Sequence, residues 1–180
     1  MLRQIRNIRP ARTFQMALAI LGTACSLPVF ASAEPSLMGR TVEFSIQTYD
    51  DPDKPYFSGR VHSAIVSEGI EFGLGREGAQ NELDVVPILV NIGAGSVEIS
   101  YSIADPGELA SARFNGYIIE FLSDCELLGR AGIDQTATNV EIDNKRVSHD
   151  ANTLMVDVSG LRHYRESKIT VKLAVLDCPD

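Results

Sequence analysis

The chain has no tryptophan and only three histidines and three cysteines among its 180 residues. Without tryptophan it lacks the broadest aromatic face available for stacking on a sugar ring. His62 stands alone in VHSAIV, and His149 with Asp150 lies far along the chain from His163. Zinc draws three or four converging ligands, usually from closely spaced pairs, and these histidines are not spaced that way. Basic residues are also scarce: 16 lysines and arginines face 24 acids, a formal net charge of −8. That balance repels nucleic acid and anionic membrane surfaces. There is no G-x-S-x-G turn to raise a nucleophilic serine, and the apolar run MALAILGTA near the start is too short to span a bilayer permanently.

One motif does invite a catalytic reading. In FGLGREGA, Gly73, Gly75 and Gly78 have the spacing of a dinucleotide-binding turn. Such a turn must open a helix whose N-terminus holds the pyrophosphate. Here AQNELDVVPILV follows, a strand-like run carrying a proline, and Glu77 would set a negative charge beside the phosphates. The glycines therefore read as a bulged or irregular strand end.

The first 33 residues read as a secretory signal peptide. Arg3, Arg6, Arg9 and Arg12 precede the apolar MALAILGTA, and Ala31-Ser32-Ala33 supplies a small-x-small cleavage site. An alternative uses Cys25 as a lipid-attachment residue, although Gly22 occupies the place where a large aliphatic residue belongs. Either way the protein is expected to be exported to the periplasm or beyond the cell, with no transmembrane anchor once the leader is cleaved. Residues 34–180 then form a single domain, large enough to bury a core of its own. Cys125 and Cys178 remain, and an even pair in an exported chain reads as a disulfide. Closing a loop of about 54 residues contributes roughly 4 kcal/mol in the chain-entropy account.

Hydrophobic residues alternate with polar ones along the mature chain. TVEFSI places Val42, Phe44 and Ile46 on one face, and SVEISYSI does so with Val97, Ile99, Tyr101 and Ile103. TLMVDV repeats the pattern with Leu154, Val156 and Val158, and KITVKLAV with Ile169, Val171, Leu173 and Val175. Period two means strands with one buried face. Turn signals punctuate them, among them Asp51-Pro52, Gly93-Ala94-Gly95, Asp105-Pro106-Gly107 and Ser159-Gly160. No helical pattern lasts three turns. The expectation is an all-β antiparallel sandwich, jelly-roll or Ig-like, of seven to nine strands. Pro87 cannot donate to a ladder, which places its strand at an edge or bulges it there. Asn115-Gly116 suits either a turn or a strand start.

The order VSEGIEF, ARFNGYIIEFLSD, DANTLMVDVSGL and KITVKLAV resembles a module of uncharacterised exported bacterial proteins. There a G-[IV]-E-F strand is followed by F-N-G-[FY] and then by N-x-[LI]-x-V-[DN]-[VL]-[SG]-G-L. The resemblance covers most of residues 60 to 176 and implies a β-sandwich fold and an exported location, with no catalytic residues. Cys125 and Cys178 are additions to that pattern and suggest a staple from the C-terminal strand to the F-N-G-Y strand.

Two surfaces could carry function. YDDPDKPYF gathers Asp50, Asp51 and Asp53 in one loop, and hard cations such as Ca²⁺ favour several oxygens from a flexible loop. The EF-hand glycine and terminal glutamate are missing, so the alternative is a solvated acidic loop and no cofactor at all. Tyr49, Tyr56 and Phe57 flank that loop, and Tyr164 with Arg162 and Arg165 forms a second group placed near the other end. Aromatic and arginine side chains on loops suit contact with a polymer or a protein partner. The leading expectation is a non-catalytic envelope or extracellular binding module. A structural subunit pairing through sheet edges and a hydrolase with a carboxylate pair are the alternatives.

Overall fold

In this computed structural model, residues 34–73, 79–81 and 85–178 are described. The leader with Cys25, and Gly75 and Gly78 of the glycine motif, lie outside those residues. The first strands are β1 (Thr41–Tyr49), β2 (Phe57–Ser58), β3 (His62–Ile65), β4 (Ile70–Phe72), β5 (Ala79–Asn81), β6 (Leu89–Gly93) and β7 (Ser96–Ser100). They are followed by β8 (Gly107–Glu108), β9 (Phe114–Phe121), β10 (Leu128–Ile133), β11 (Val147–His149), β12 (Thr153–Asp157), β13 (Arg162–His163) and β14 (Lys168–Val175). Among the described residues the one helical element is a 3₁₀ turn, Asn144–Arg146, with Asp143 as its N-cap.

These strands form an all-β sandwich. One sheet runs β11-β12-β9-β1, with β2 and β3 both on the outer side of β1. The other runs β10-β14-β7-β6-β4-β5, and β8 with β13 makes a two-stranded ribbon. Pairing is antiparallel except between β4 and β5. The segments exceed the seven to nine expected, for two physical reasons. An edge run is cut into β2 and β3 between Ser58 and His62, and short two- and three-residue pairings form within loops that alternation cannot reveal.

The core follows the alternation. In the first sheet Val42, Phe44 and Ile46 of β1 oppose Phe121, Ile119 and Tyr117 of β9, all buried. In the second, Val97 and Ile99 of β7 lie between Ile92 and Val90 of β6 and Val171 and Ile169 of β14. The faces meet through aromatic side chains. Phe44 of one sheet stacks on Phe72 of the other at 5.2 Å between ring centroids and on Tyr117 at 5.9 Å. Behind that stack the hydroxyls of Tyr101 and Tyr117 hydrogen-bond at 3.0 Å. Burial pushes both phenols well above the ordinary tyrosine range, favouring the neutral form of each.

Two expectations are corrected. β7 ends at Ser100 and its buried alternation runs to Tyr101 rather than to Ile103: the Ala104 N–H bonds back to the Tyr101 carbonyl at 2.9 Å, turning the chain before Pro106, and Ala104 is buried while Ile103 is half-buried. Pro87 neither marks an edge nor bulges a strand. It precedes β6, which begins at Leu89 and lies inside its sheet between β7 and β4.

Several residues of the segments G-I-E-F, F-N-G-Y and V-D-V-S-G-L make hydrogen-bonding joints or close approaches. Glu71, fully buried on β4, sits where the β4–β6 register slips between Ile70 and Phe72. Its carboxylate accepts the Ile92 N–H at 2.7 Å and the Ser67 N–H at 2.8 Å. A side chain thus receives donors that lie beside the interrupted ladder. In F-N-G-Y, Asn115 and Gly116 belong to β9. Asn115 accepts the Thr48 hydroxyl and donates to the Ala110 carbonyl, each at 2.8 Å. Gly116 is required by close approach, because a Cβ there would collide with the Val156 carbonyl oxygen and the Phe114 ring. In V-D-V-S-G-L, Asp157 accepts the N–H of Ser159 at 2.9 Å, and Gly160 turns with φ +63°.

The two buried hydroxyls yield a test. Tyr101→Phe and Tyr117→Phe should each cost about 1–3 kcal/mol, because each leaves the other hydroxyl without its partner. The double substitution should cost less than the sum of the singles, read from urea midpoints. Additive losses would show that the pair is not coupled.

Candidate functional site

Tyr49 closes β1 and Phe114 opens β9, and their rings stack at 5.1 Å between centroids where the two strands pair. Beyond them, residues 50–56 form a loop held by its own polar groups. The Asp51 carbonyl accepts the Lys54 N–H at 2.9 Å, and its carboxylate accepts the Asp53 N–H at 3.1 Å. Asp50 receives the Tyr56 hydroxyl at 2.6 Å and the Arg113 N–H at 2.7 Å, joining this loop to the entrance of β9. The hydrogen bond from Tyr56, then that from Arg113, holds the Asp50 carboxyl below the usual carboxylate range. The hydrogen bond to Asp50, then the charge of that carboxylate, raises the Tyr56 phenol.

Asp50 and Asp51 therefore spend carboxylate oxygens on the loop itself. Among the described residues no group of three or more His, Cys, Asp or Glu side chains is disposed to hold a metal ion. Nor do the histidines gather. His163 is buried against Tyr101, with ring centroids 4.7 Å apart, and exposed His149 lies on the edge strand β11.

Tyr56 remains 70% exposed and Tyr164 50%. Arg162 reaches Glu108 across the β8–β13 ribbon at 3.3 Å, and Arg165 reaches Asp105 at 2.7 Å. Both arginine pairs lie largely in solvent, where ion pairs contribute little to stability. Arg162 is not at the opposite end from the Tyr49 group. Its partner Glu108 shares a depression of about 280 Å³ with Thr48 and Phe57, floored by Ile46, Val85 and Leu109.

A second depression of about 350 Å³ adjoins the first through Glu108 and is lined by Gly160, Leu161 and Arg162 with Glu141 and Arg146. A third, of about 450 Å³, adjoins the second through Glu141 and Arg146 and adds Gln135, Val140 and Asp143. Together they make a groove passing the facing ends of β1 and β2, the segment before β6, the β8–β13 ribbon and the connection between β10 and β11. One end is apolar and the rest is charged. Arg146 is held from beneath: it donates to the Ser159 carbonyl at 2.7 Å and lies 3.6 Å from Asp157. Glu108 is on β8, whereas Glu141 and Arg146 share the connection between β10 and β11, and no local motif marks them, so only the fold brings Glu108 to the other two.

Cys125, in the β9–β10 loop, and Cys178, beyond β14, are placed as a disulfide pair with Cα atoms 6.0 Å apart, inside the range bridged cysteines occupy. The link ties the β9–β10 loop, just ahead of β10, to the segment after β14, the strand with which β10 pairs, rather than to β9 itself. Among the described residues no helix is long and apolar enough to cross a membrane. No protein-family model matches the chain, and comparison with curated proteins and with solved structures gives no match.

The Asp50 clasp has a measurable signature. Tyr56→Phe removes the largest cause of its lowered pKa, so the Asp50 carboxyl should titrate closer to the ordinary aspartate range, followed by carboxyl NMR. A carboxyl held low in the folded state stabilises above its unfolded pKa, and that stabilisation is lost as pH falls through the folded value. Wild type and variant should therefore differ in how the loop responds on the acid side. An unchanged Asp50 titration would remove Tyr56 from the clasp.

Proposed function

We propose that this chain is an exported β-sandwich protein of the bacterial envelope or extracellular space, and that it binds a partner through the loop-end groove rather than catalysing a reaction. The observation that carries the reading is the groove itself: three adjoining depressions lined by strand ends and the segments between them, over a framework whose polar groups hold strands together. Loops of this kind vary without disturbing the sheets beneath them.

Export is supported by three independent features. The first 33 residues have the layout of a cleaved leader. Cys125 and Cys178 stand at bridging distance, and such bonds persist in oxidising compartments. The motif order resembles that of exported bacterial proteins. Cleavage after Ala33 would release a chain beginning at Glu34, and Glu34–Asp180 is one compact unit.

Purified protein beginning at Glu34 should co-sediment saturably with envelope fractions of its source. Glu108→Arg, which reverses the charge shared by the first two depressions and breaks the exposed pair with Arg162, should weaken that binding without unfolding the sandwich. Binding lost after protease treatment of the fractions identifies a protein partner, and binding retained identifies a glycan or lipid-linked polymer. Absence of saturable binding in both fractions would contradict the proposal.

A further inference from the structure

The groove is divided in a way that restricts its occupant. Its apolar end, about 280 Å³, is lined by Ile46, Phe57, Val85, Val86 and Leu109. That lies below the ~300–1,000 Å³ of sites that enclose a drug-sized molecule, and suits one apolar side chain of something larger. Sugar rings stack on open aromatic faces, and this seat offers mostly branched aliphatic walls.

The charged end differs in kind. Arg162 is paired with Glu108 and Arg146 is engaged with Asp157 and Ser159. The Asp143 carboxylate caps the 3₁₀ turn through the Lys145 N–H at 2.9 Å. Exposed Glu141, bordering both charged depressions, makes no ion pair among the described residues. The cations of the groove are thus neutralised while its carboxylates are in excess, in a chain of net charge −8. An incoming cation is favoured there and an incoming anion repelled.

We propose that the groove takes an extended polypeptide segment, with one apolar side chain in the seat beside Phe57 and a lysine or arginine against Glu141. This rests on the reading of the groove as the binding surface and names its occupant. An extended peptide meets both halves at once, because successive side chains project from a continuous backbone. A polyanion is disfavoured by the unpaired carboxylate, and a neutral glycan makes use of neither the aliphatic seat nor that charge.

The test uses acetylated, amidated peptides in which leucine and lysine are separated by one to four glycines, added to the ¹⁵N-labelled protein. At one spacing the amides of Leu109 and Glu141 should shift together and saturably. Replacing the lysine by glutamate should weaken binding about fivefold or more, and Glu141→Lys should do the same, whereas Glu120→Lys, on an exposed site of β9, should not. Equal weakening by Glu120→Lys would reduce the effect to general charge and overturn the proposal. If only a neutral oligosaccharide such as cellotetraose shifts these amides, the groove remains the binding surface and the peptide proposal falls. If peptide, oligosaccharide and envelope fractions all leave the groove unperturbed, both readings fall.

Discussion

The contact on which the architecture depends is the one at Tyr117. Its ring packs with Phe44, which in turn stacks on Phe72 of the opposite sheet, and its hydroxyl meets that of Tyr101 from the same opposite side. Burying each large aromatic side chain contributes roughly 1.5–3 kcal/mol, whereas a hydrogen bond contributes a net ~0.5–1.5 kcal/mol. The rings therefore supply the larger share of stability. The hydroxyl pair has a different effect: two buried polar atoms accept only the arrangement in which they meet, which discriminates against a slipped packing of the sheets.

The loops inherit their positions from the same strands. β9 carries Tyr117 inward and, two residues earlier, Asn115, which ties Thr48 of β1 to the Ala110 carbonyl in the segment after β8. Ser159, just past β12, both donates to and accepts from Ala112 at 2.7 Å, fastening that segment a second time. Leu109 donates to the Leu161 carbonyl at 2.9 Å, so the β8–β13 ribbon is extended by a further bond on one side of the groove. A chain of polar joints thus runs from the core to Glu108 and Arg162. The groove is lined by strand ends and the segments between them, so its walls are anchored to the sheets.

Much of the fold was readable from alternation alone. The runs around Val42, Val97, Leu154 and Ile169 form β1, β7, β12 and β14, with the expected faces inward, because burial on one side of a sheet imposes period two directly. Where the reading stopped short, the deciding forces were nonlocal. The turn signal Asp105-Pro106-Gly107 lies just beyond Ile103, but nothing local announces that the hydroxyl of Tyr101 meets that of Tyr117 across the sandwich. Glu71 looks like a solvent-facing strand residue, yet it is buried because a register slip leaves donors for it to receive. The candidate site was less legible still. Tyr56 and Arg162 stood out by residue type, but the aliphatic seat, and Glu141 beside it with no ion pair among the described residues, exist as a site only once distant segments are brought together.

Native-state hydrogen exchange under increasing urea is the most direct test of the claim that the two sheets are one unit locked at Tyr117. Amides of Ile119 in the first sheet and of Ile99 and Val171 in the second should exchange through the same global opening. Their free energies should converge and fall with one common urea slope. If either sheet instead exchanges through its own opening, with a lower free energy and a smaller slope, the sheets are separable and the contact at Tyr117 does not hold the fold together.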